Sequence, residues 1–301
     1  MVLLGAGAGL YFTPALGVRA QSSAANPLSK APAAILRTAR TSASDLEVGG
    51  DLAGLPAGAT RYITRKDLLA LPQVKYTVAA GGDFAAPAEI SGVSLGELAR
   101  DVGAAPESDL VVAICDDKYR TNYSRAHIAD HHPLLVLKIN GKSPGGWPKD
   151  PEHGDDMGPY LIAYPSFTPG FRILSFAEEP QIPWGVVRIE FRDEKQVFGA
   201  IAPRGPHAGD QAVQDGYRIA EQNCYRCHNM GAEGGEKSGL PWTVLAQWAS
   251  GSHVFFGAYI RDPQSKNPSA QMPGNPSYDD ATLAALTAYF RTFAASTGEK
   301  P

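Results

Sequence analysis

The 301-residue sequence predicts an α+β protein, and three observations carry that prediction. Between about residues 45 and 200, short apolar runs bounded by turn residues outnumber stretches of helical period. Long Pro/Gly-rich connections join those runs, which argues against a parallel α/β arrangement. Near the C-terminus the spacing changes: Leu283, Leu286, Tyr289, Phe290 and Phe293 recur on one helical face behind Asp279 or Asp280 as a cap.

Taken in order, "TRYITRKDLLAL" (60–71) reads as a strand then a short helix, and "VSLGELARDVG" (93–103) as an amphipathic helix. "DLVVAICDD" (109–117) is a short apolar run closed by acids, the pattern of a buried strand. "RTNYSRAHIADHHPLLVLKING" (120–141) gives strand, short helix and strand, then a turn at Asn140-Gly141. "PYLIAYPS" (159–166) and "WGVVRIEFR" (184–192) are further strands, and "APRGPHAGDQ" (202–211) reads as a linker. Residues 1–20 have an apolar stretch and small residues before a cut after Ala20, as in an export signal, although the usual leading positive charge is missing. A retained anchor is the alternative, but the stretch is short and rich in Gly and Pro for a span. Residues 21–44 are Ala/Ser/Pro-rich and read as a flexible or partner-bound arm. This divides the chain into 1–20, 21–44, a domain over 45–201, a linker over 202–211 and a second domain over 212–301. A formal charge of −4 with no basic run points to no nucleic acid and, once the signal is cut, to no strong membrane attraction.

The chemistry concentrates in "NCYRCHNM" (223–230), which holds two of the three cysteines. Cys-x-x-Cys alone fits zinc, a dithiol or haem attachment. No second Cys/His pair follows at finger-like spacing, and a dithiol enzyme needs no histidine directly after the second cysteine. Cys224 and Cys227 followed by His228 is the c-type haem arrangement, with thioether bonds from the cysteines and an axial imidazole from the histidine. Of the four methionines, Met1 and Met157 lie elsewhere in the chain and Met230 is too close to His228 to reach the opposite haem face. Met272 lies 44 residues beyond His228 in the loop "SAQMPGNP", enough chain to encircle a haem. His253 is its competitor. A His/Met iron has a raised potential and no open site, which describes an electron carrier.

From about 207 to 296 the sequence resembles a class I cytochrome c domain. "QDGYRIAEQNCYRCHN" resembles the family's first helix running into the haem motif, "SGLPW" its proximal loop, and "VFFGAYIRDPQSKNPSAQMPG" its helix and methionine loop. The resemblance implies an all-α domain with one covalent haem c. It places Gly216 at a close crossing of first and last helices, Pro241 beside the proximal histidine, and Tyr217 and Tyr289 in the haem pocket. Because such haems are attached after export, it also implies a periplasmic protein.

The order of elements over 45–201 resembles the molybdopterin-binding domain of the sulfite oxidase family, carried by "ISGVSLGELARDVGA", "DLVVAICDDKYRTNYSRAHI", the segment 134–165 and "WGVVRIEF". In that family a thiolate ahead of the Gly-x-x-Leu helix holds the metal. The matching interval 74–92 has no cysteine, and Ala79, Ala80 and Gly81 stand about where it would be. Cys115 falls after the helix and reads as a buried strand residue. Molybdopterin is therefore not expected, and the domain reads as a docking scaffold. The resulting expectation is an electron-transfer subunit of a larger redox complex with a redox protein as partner. A self-contained molybdenum-dependent sulfite-type dehydrogenase and a haem-based sensor are the rivals.

Two polar clusters remain. His127 and His131 share a helical face and, with His153, Asp155 and Asp156, offer a copper or zinc site. The plainer reading is a solvated helix ending at Pro133 and an acidic rim loop. Asp116 and Asp117 offer a carboxylate pair, though two acids at a strand end are commonplace.

Overall fold

The structure, a computed structural model, describes residues 34–81, 84–151 and 154–294. The proposed signal, the start of the arm and His153 lie outside those residues. The chain begins with β1 (Leu46–Gly50), β2 (Arg61–Ile63) and α1 (Arg65–Ala70), which starts where the Thr64 hydroxyl accepts from the Asp67 amide. There follow β3 (Val74–Val78), β4 (Ala88–Ser94), α2 (Leu95–Asp101), β5 (Leu110–Cys115), β6 (Arg120–Ser124), α3 (Arg125–His131) and β7 (Leu134–Ile139). Next come β8 (Leu161–Ala163), β9 (Arg172–Ile173), β10 (Phe176–Ala177), β11 (Val186–Arg192) and α4 (Glu194–Gly199). Every strand and helix read from this half of the sequence is present, and β1, β3, β4, β9, β10 and α4 are additions. The turn after β7 has Asn140 and Gly141 both at positive φ (51° and 74°), as an Asn-Gly hairpin requires.

Two sheets organise this half. One has five strands in the order β2-β1-β11-β5-β6, the other four in the order β3-β4-β7-β8. Only the β1/β11 pair is parallel within these two sheets. A first core lies between the five-stranded sheet and its neighbours and includes Leu46, Ile63, Leu98, Tyr123, Leu137 and Phe191.

β5 explains how the rest of the chain attaches. Its Val111, Ala113 and Cys115 point into that first core. Leu110 and Val112, on the opposite face, belong to a second core with Ile219, Tyr225, Trp242, Leu286, Tyr289 and Phe290. The strand is apolar without alternation because neither face meets water. All described residues accordingly fall in one compact unit.

The helical part is α5 (Gln211–Gln222), a 3₁₀ turn at Cys224–Arg226, a small hairpin β12 (Asn229–Met230) and β13 (Glu233–Gly234), then α6 (Trp242–Gly251), α7 (His253–Arg261) and α8 (Asp280–Arg291). Asp279 caps α8 by accepting from the Thr282 amide at 2.8 Å. Segment 202–211 joins α4 to α5 and is tied down: Ile201, just before it, is fully buried and its carbonyl accepts from the Tyr289 hydroxyl at 2.6 Å. The α5–α8 crossing depends on Gly216, where a Cβ would lie 2.1 Å from the Ala285 carbonyl oxygen and 2.7 Å from the Tyr289 Cβ. Gly216→Ala should therefore force the helices apart and cost about 1–3 kcal/mol. Denaturant unfolding would show this as a lower midpoint, and an unchanged midpoint would contradict the crossing.

Candidate functional site

The 3₁₀ turn at 224–226, the loop before α6, α7 and the 271–273 loop enclose a cavity of about 390 Å³. That size lies in the range of small-molecule and cofactor sites, roughly 300–1,000 Å³. Cys224, Cys227 and His228 all line it, and so does Met272. Trp248, Phe256, Ile260 and Phe290 supply apolar wall.

His228 is set for ligation by its neighbours. Its Nδ1–H donates to the Leu240 carbonyl at 2.7 Å, with the Ser238 hydroxyl 2.9 Å from the same nitrogen. That fixes the tautomer and leaves Nε2 with a free lone pair. Burial lowers the imidazole pKa, so the ring is neutral at physiological pH. The supporting acceptor is the carbonyl before Pro241, while Pro241 itself occupies the N-cap of α6. Burial also pushes the free thiols up, Cys224 to about 12 and Cys227 to about 11. Both are apolar, protonated side chains facing the cavity until they are alkylated.

The loop carrying Met272 is held from behind. The Asn275 backbone amide donates to the Ile260 and Arg261 carbonyls, both at 3.1 Å, while its side-chain oxygen accepts from Asn223 at 3.0 Å. Gln264 donates to the Met272 carbonyl at 3.0 Å. His253 is exposed at the first turn of α7 and is not among the residues lining the cavity. Tyr217 and Tyr289, expected in the pocket, do not line it either: their rings meet at 5.7 Å within the α5–α8 packing.

The strand-rich half contributes directly to the cavity through Tyr119, a residue that no sequence motif singles out. The tight turn from Cys115 to Tyr119 carries Lys118 at φ 69°, and the Lys118 carbonyl accepts from the Glu236 amide at 3.1 Å. Asp117 caps this turn by accepting from the Tyr119 amide and pairs with Lys237 at 2.6 Å. It is a structural carboxylate, not half of an acidic site. Lys237 also sits 5.6 Å from the Tyr119 ring centroid. Arg226, inside the Cys-x-x-Cys turn, is buried and lies beside Tyr119. Gly235 lets the hairpin lie against that turn, since a Cβ there would fall 1.8 Å from the Arg226 carbonyl oxygen.

The hairpin is clamped to the sheet by charge. Glu233 accepts from Arg120 at 2.8 Å and from Arg192, and Arg192 in turn meets Glu190 at 3.1 Å. Burial raises the Glu190 pKa, but Arg188, Arg192 and Arg120 outweigh it and hold the carboxyl below its ordinary 4.5. Cys115 is 3% exposed in the first core, and burial raises its thiol pKa well above normal.

Comparison with known proteins agrees with this geometry where it bears on it. The cytochrome c family matches residues 213–294. No curated protein matches the chain. Among solved structures the chain is similar to the sulfane dehydrogenase SoxCD from Paracoccus pantotrophus, at 17% identity and a TM-score of 0.36. The match covers 57% of this chain and 45% of that one, so it spans less than half of the SoxCD chain. The C-terminal part is thus a cytochrome c domain that carries covalent haem c. The donor set fits that group: two thiols, a neutral imidazole with Nε2 free and a thioether on one cavity.

Two outcomes follow for the clamp. Glu233→Ala leaves Arg120, 5% exposed at its side chain, without its carboxylate. It should lose about 3 kcal/mol in denaturant unfolding followed by both tryptophan fluorescence and haem absorbance. Glu190, with its pKa depressed, contributes stability above 4.5 that fades as pH falls below that value. The stability gap between wild type and Glu190→Gln should therefore close on acidification, and a gap that widens would reverse the sign.

Proposed function

We propose that the chain is an electron-transfer cytochrome in which His228 and Met272 are the two axial ligands of a single haem c. The observation that carries this reading is the shared cavity: His228, with Nε2 unengaged, and Met272 line it together, 44 residues apart in sequence. The protein would contribute an apolar wall, a fixed imidazole orientation and exclusion of water. The haem supplies the one-electron chemistry. With both axial positions filled, the iron has no site for substrate, and methionine ligation raises its potential.

The strand-rich half is proposed to be a sulfite-oxidase-like fold that acts as a docking scaffold in a periplasmic redox complex. Cys115 packed in the core, away from solvent, supports a structural and not a metal-binding thiol there. Val254 and Phe255 on α7 are 75% and 41% exposed, on the helix whose Phe256 and Ile260 line the cavity. That apolar edge supports contact with a redox protein close to the haem. No helix among the described residues is long and apolar enough to cross a membrane.

Metal content decides the broad question. Protein made in a host that supplies both haem c and molybdopterin should contain one iron and no molybdenum per chain. Molybdenum near one per chain would replace this reading with that of a self-contained dehydrogenase. The ligand assignment has its own test in Met272→Ala. The variant should lose the sulfur-to-iron charge-transfer band, bind CO stoichiometrically when reduced, and fall in midpoint potential by on the order of 0.1 V, within the roughly 0.8 V that axial ligands command. Ready CO binding by the reduced wild type would mean an open sixth position and a sensor instead.

A further inference from the structure

The face of α3 opposite to water carries a second donor set, separate from the haem cavity. His127 and His131 lie one helical turn apart, with ring centroids 4.6 Å from each other. Their side chains are only 9% and 10% exposed, which overturns the solvated face expected for this helix. Glu178, just after β10, reaches between them. Its Oε1 lies 3.1 Å from His127 Nδ1 and its Oε2 3.3 Å from His131 Nε2.

We propose that His127, His131 and Glu178 bind a divalent first-row transition-metal ion, of which Zn²⁺ is the representative. One ligand atom from each residue falls within 4.8 Å of the other two. A tetrahedral ion with bonds of about 2.0–2.1 Å separates its ligand atoms by about 3.3 Å, close to both measured imidazole–carboxylate distances. Two imidazoles and one carboxylate suit zinc, copper or iron, and a water completes the set.

The surroundings hold each ligand as a metal site requires. His127 Nε2, the nitrogen that does not face Glu178, lies 2.9 Å from the Tyr164 hydroxyl. Glu178 Oε2 accepts from the Gly170 amide at 2.7 Å. Phe167 stacks on the His131 ring at 4.5 Å. Ser124 caps α3 by accepting from the His127 amide, which fixes the helix turn that presents both rings. A Cβ on Gly170 would stand 3.1 Å from Glu178 Oε2 and 3.9 Å from His131 Nε2, so the glycine leaves space beside the ligand atoms.

Charge points the same way. Glu178 has a side chain 6% exposed, and among the described residues its ion-pairing partners are the two histidines alone. A carboxylate so buried needs positive charge against it. Either a proton shared with an imidazole or a metal ion can supply it, and a metal ion held by His127, His131 and Glu178 would engage both rings at once. Arg226 is within electrostatic reach of His127 but makes no ion pair with Glu178.

The test uses the full chain with its haem in place, so that Cys224 and Cys227 are consumed as thioethers. After dialysis against a chelator, calorimetric titration with Zn²⁺ should show one saturable site per chain. Glu178→Gln and His131→Gln should each weaken Zn²⁺ binding at least about tenfold while haem absorbance and circular dichroism stay unchanged. X-ray absorption at the zinc edge of the wild type should show two imidazoles and oxygen near 2.0 Å with no sulfur. Absence of a saturable site, sulfur in the zinc shell, or an affinity unaltered by Glu178→Gln overturns the proposal; the last would assign the ion to a surface pair such as His207–Asp210. Should either variant misfold, the wild-type absorption spectrum still decides.

Discussion

Everything in this protein that bears on the haem depends on β5 having no solvent face. A strand buried on one side only would leave the helical part as a bead on a linker, free to present its haem in many orientations. Here Leu110 and Val112 belong to the same core as Trp242 and Phe290. The strand's own continuation, the Cys115–Tyr119 turn, then delivers Tyr119 to the cavity wall. The Glu233 contacts with Arg120 and Arg192 add direction to that attachment. Apolar burial is indifferent to small rotations. Charged partners at fixed donor geometry are not. Together they fix how the cavity sits relative to the sheet.

Much of the site was legible in the sequence because covalent haem chemistry constrains residue type and spacing at once. Cys224, Cys227 and His228 are consecutive in function and nearly so in sequence, and Met272 was reached by elimination among four candidates. Gly216 was legible for a related reason, since only glycine permits the approach of α8. Tyr217 and Tyr289, which the resemblance placed in the haem pocket, pack against each other between α5 and α8, in the same core as Cys224 and Met272. Strands β2, β5, β6, β7, β8 and β11 followed from apolar runs and turn residues, whereas β1, β3, β4, β9, β10 and α4, short segments without a marked apolar run, did not stand out.

Contacts between distant segments left no such trace. Tyr119 is an unremarkable aromatic after a strand, and nothing in "CDDKYR" announces a place beside Cys227. The histidine cluster shows the same limit from the other side. The i, i+4 pair was visible, but the sequence offered His153 and the acids near it as partners, since those are the next polar groups along the chain. The carboxylate that actually meets both rings is Glu178, brought there by the β9–β10 hairpin 47 residues beyond His131. Local pattern finds half-sites, and topology supplies the rest.

The two donor sets differ in what the fold asks of them. The haem motif lines a cavity with an apolar wall, where a large apolar cofactor serves as packed core. The His127–His131–Glu178 set lies in a core already closed, with Phe167 and Tyr164 packed around it. Polar groups in that position cost stability unless something repays their desolvation. Ordinary packing would have been served as well by apolar side chains of similar volume. Retaining a carboxylate between two imidazoles, with no lysine or arginine paired to it among the described residues, is a fold-level expense that a bound cation offsets directly. Buried polarity at that location is thus more informative than the histidine spacing itself.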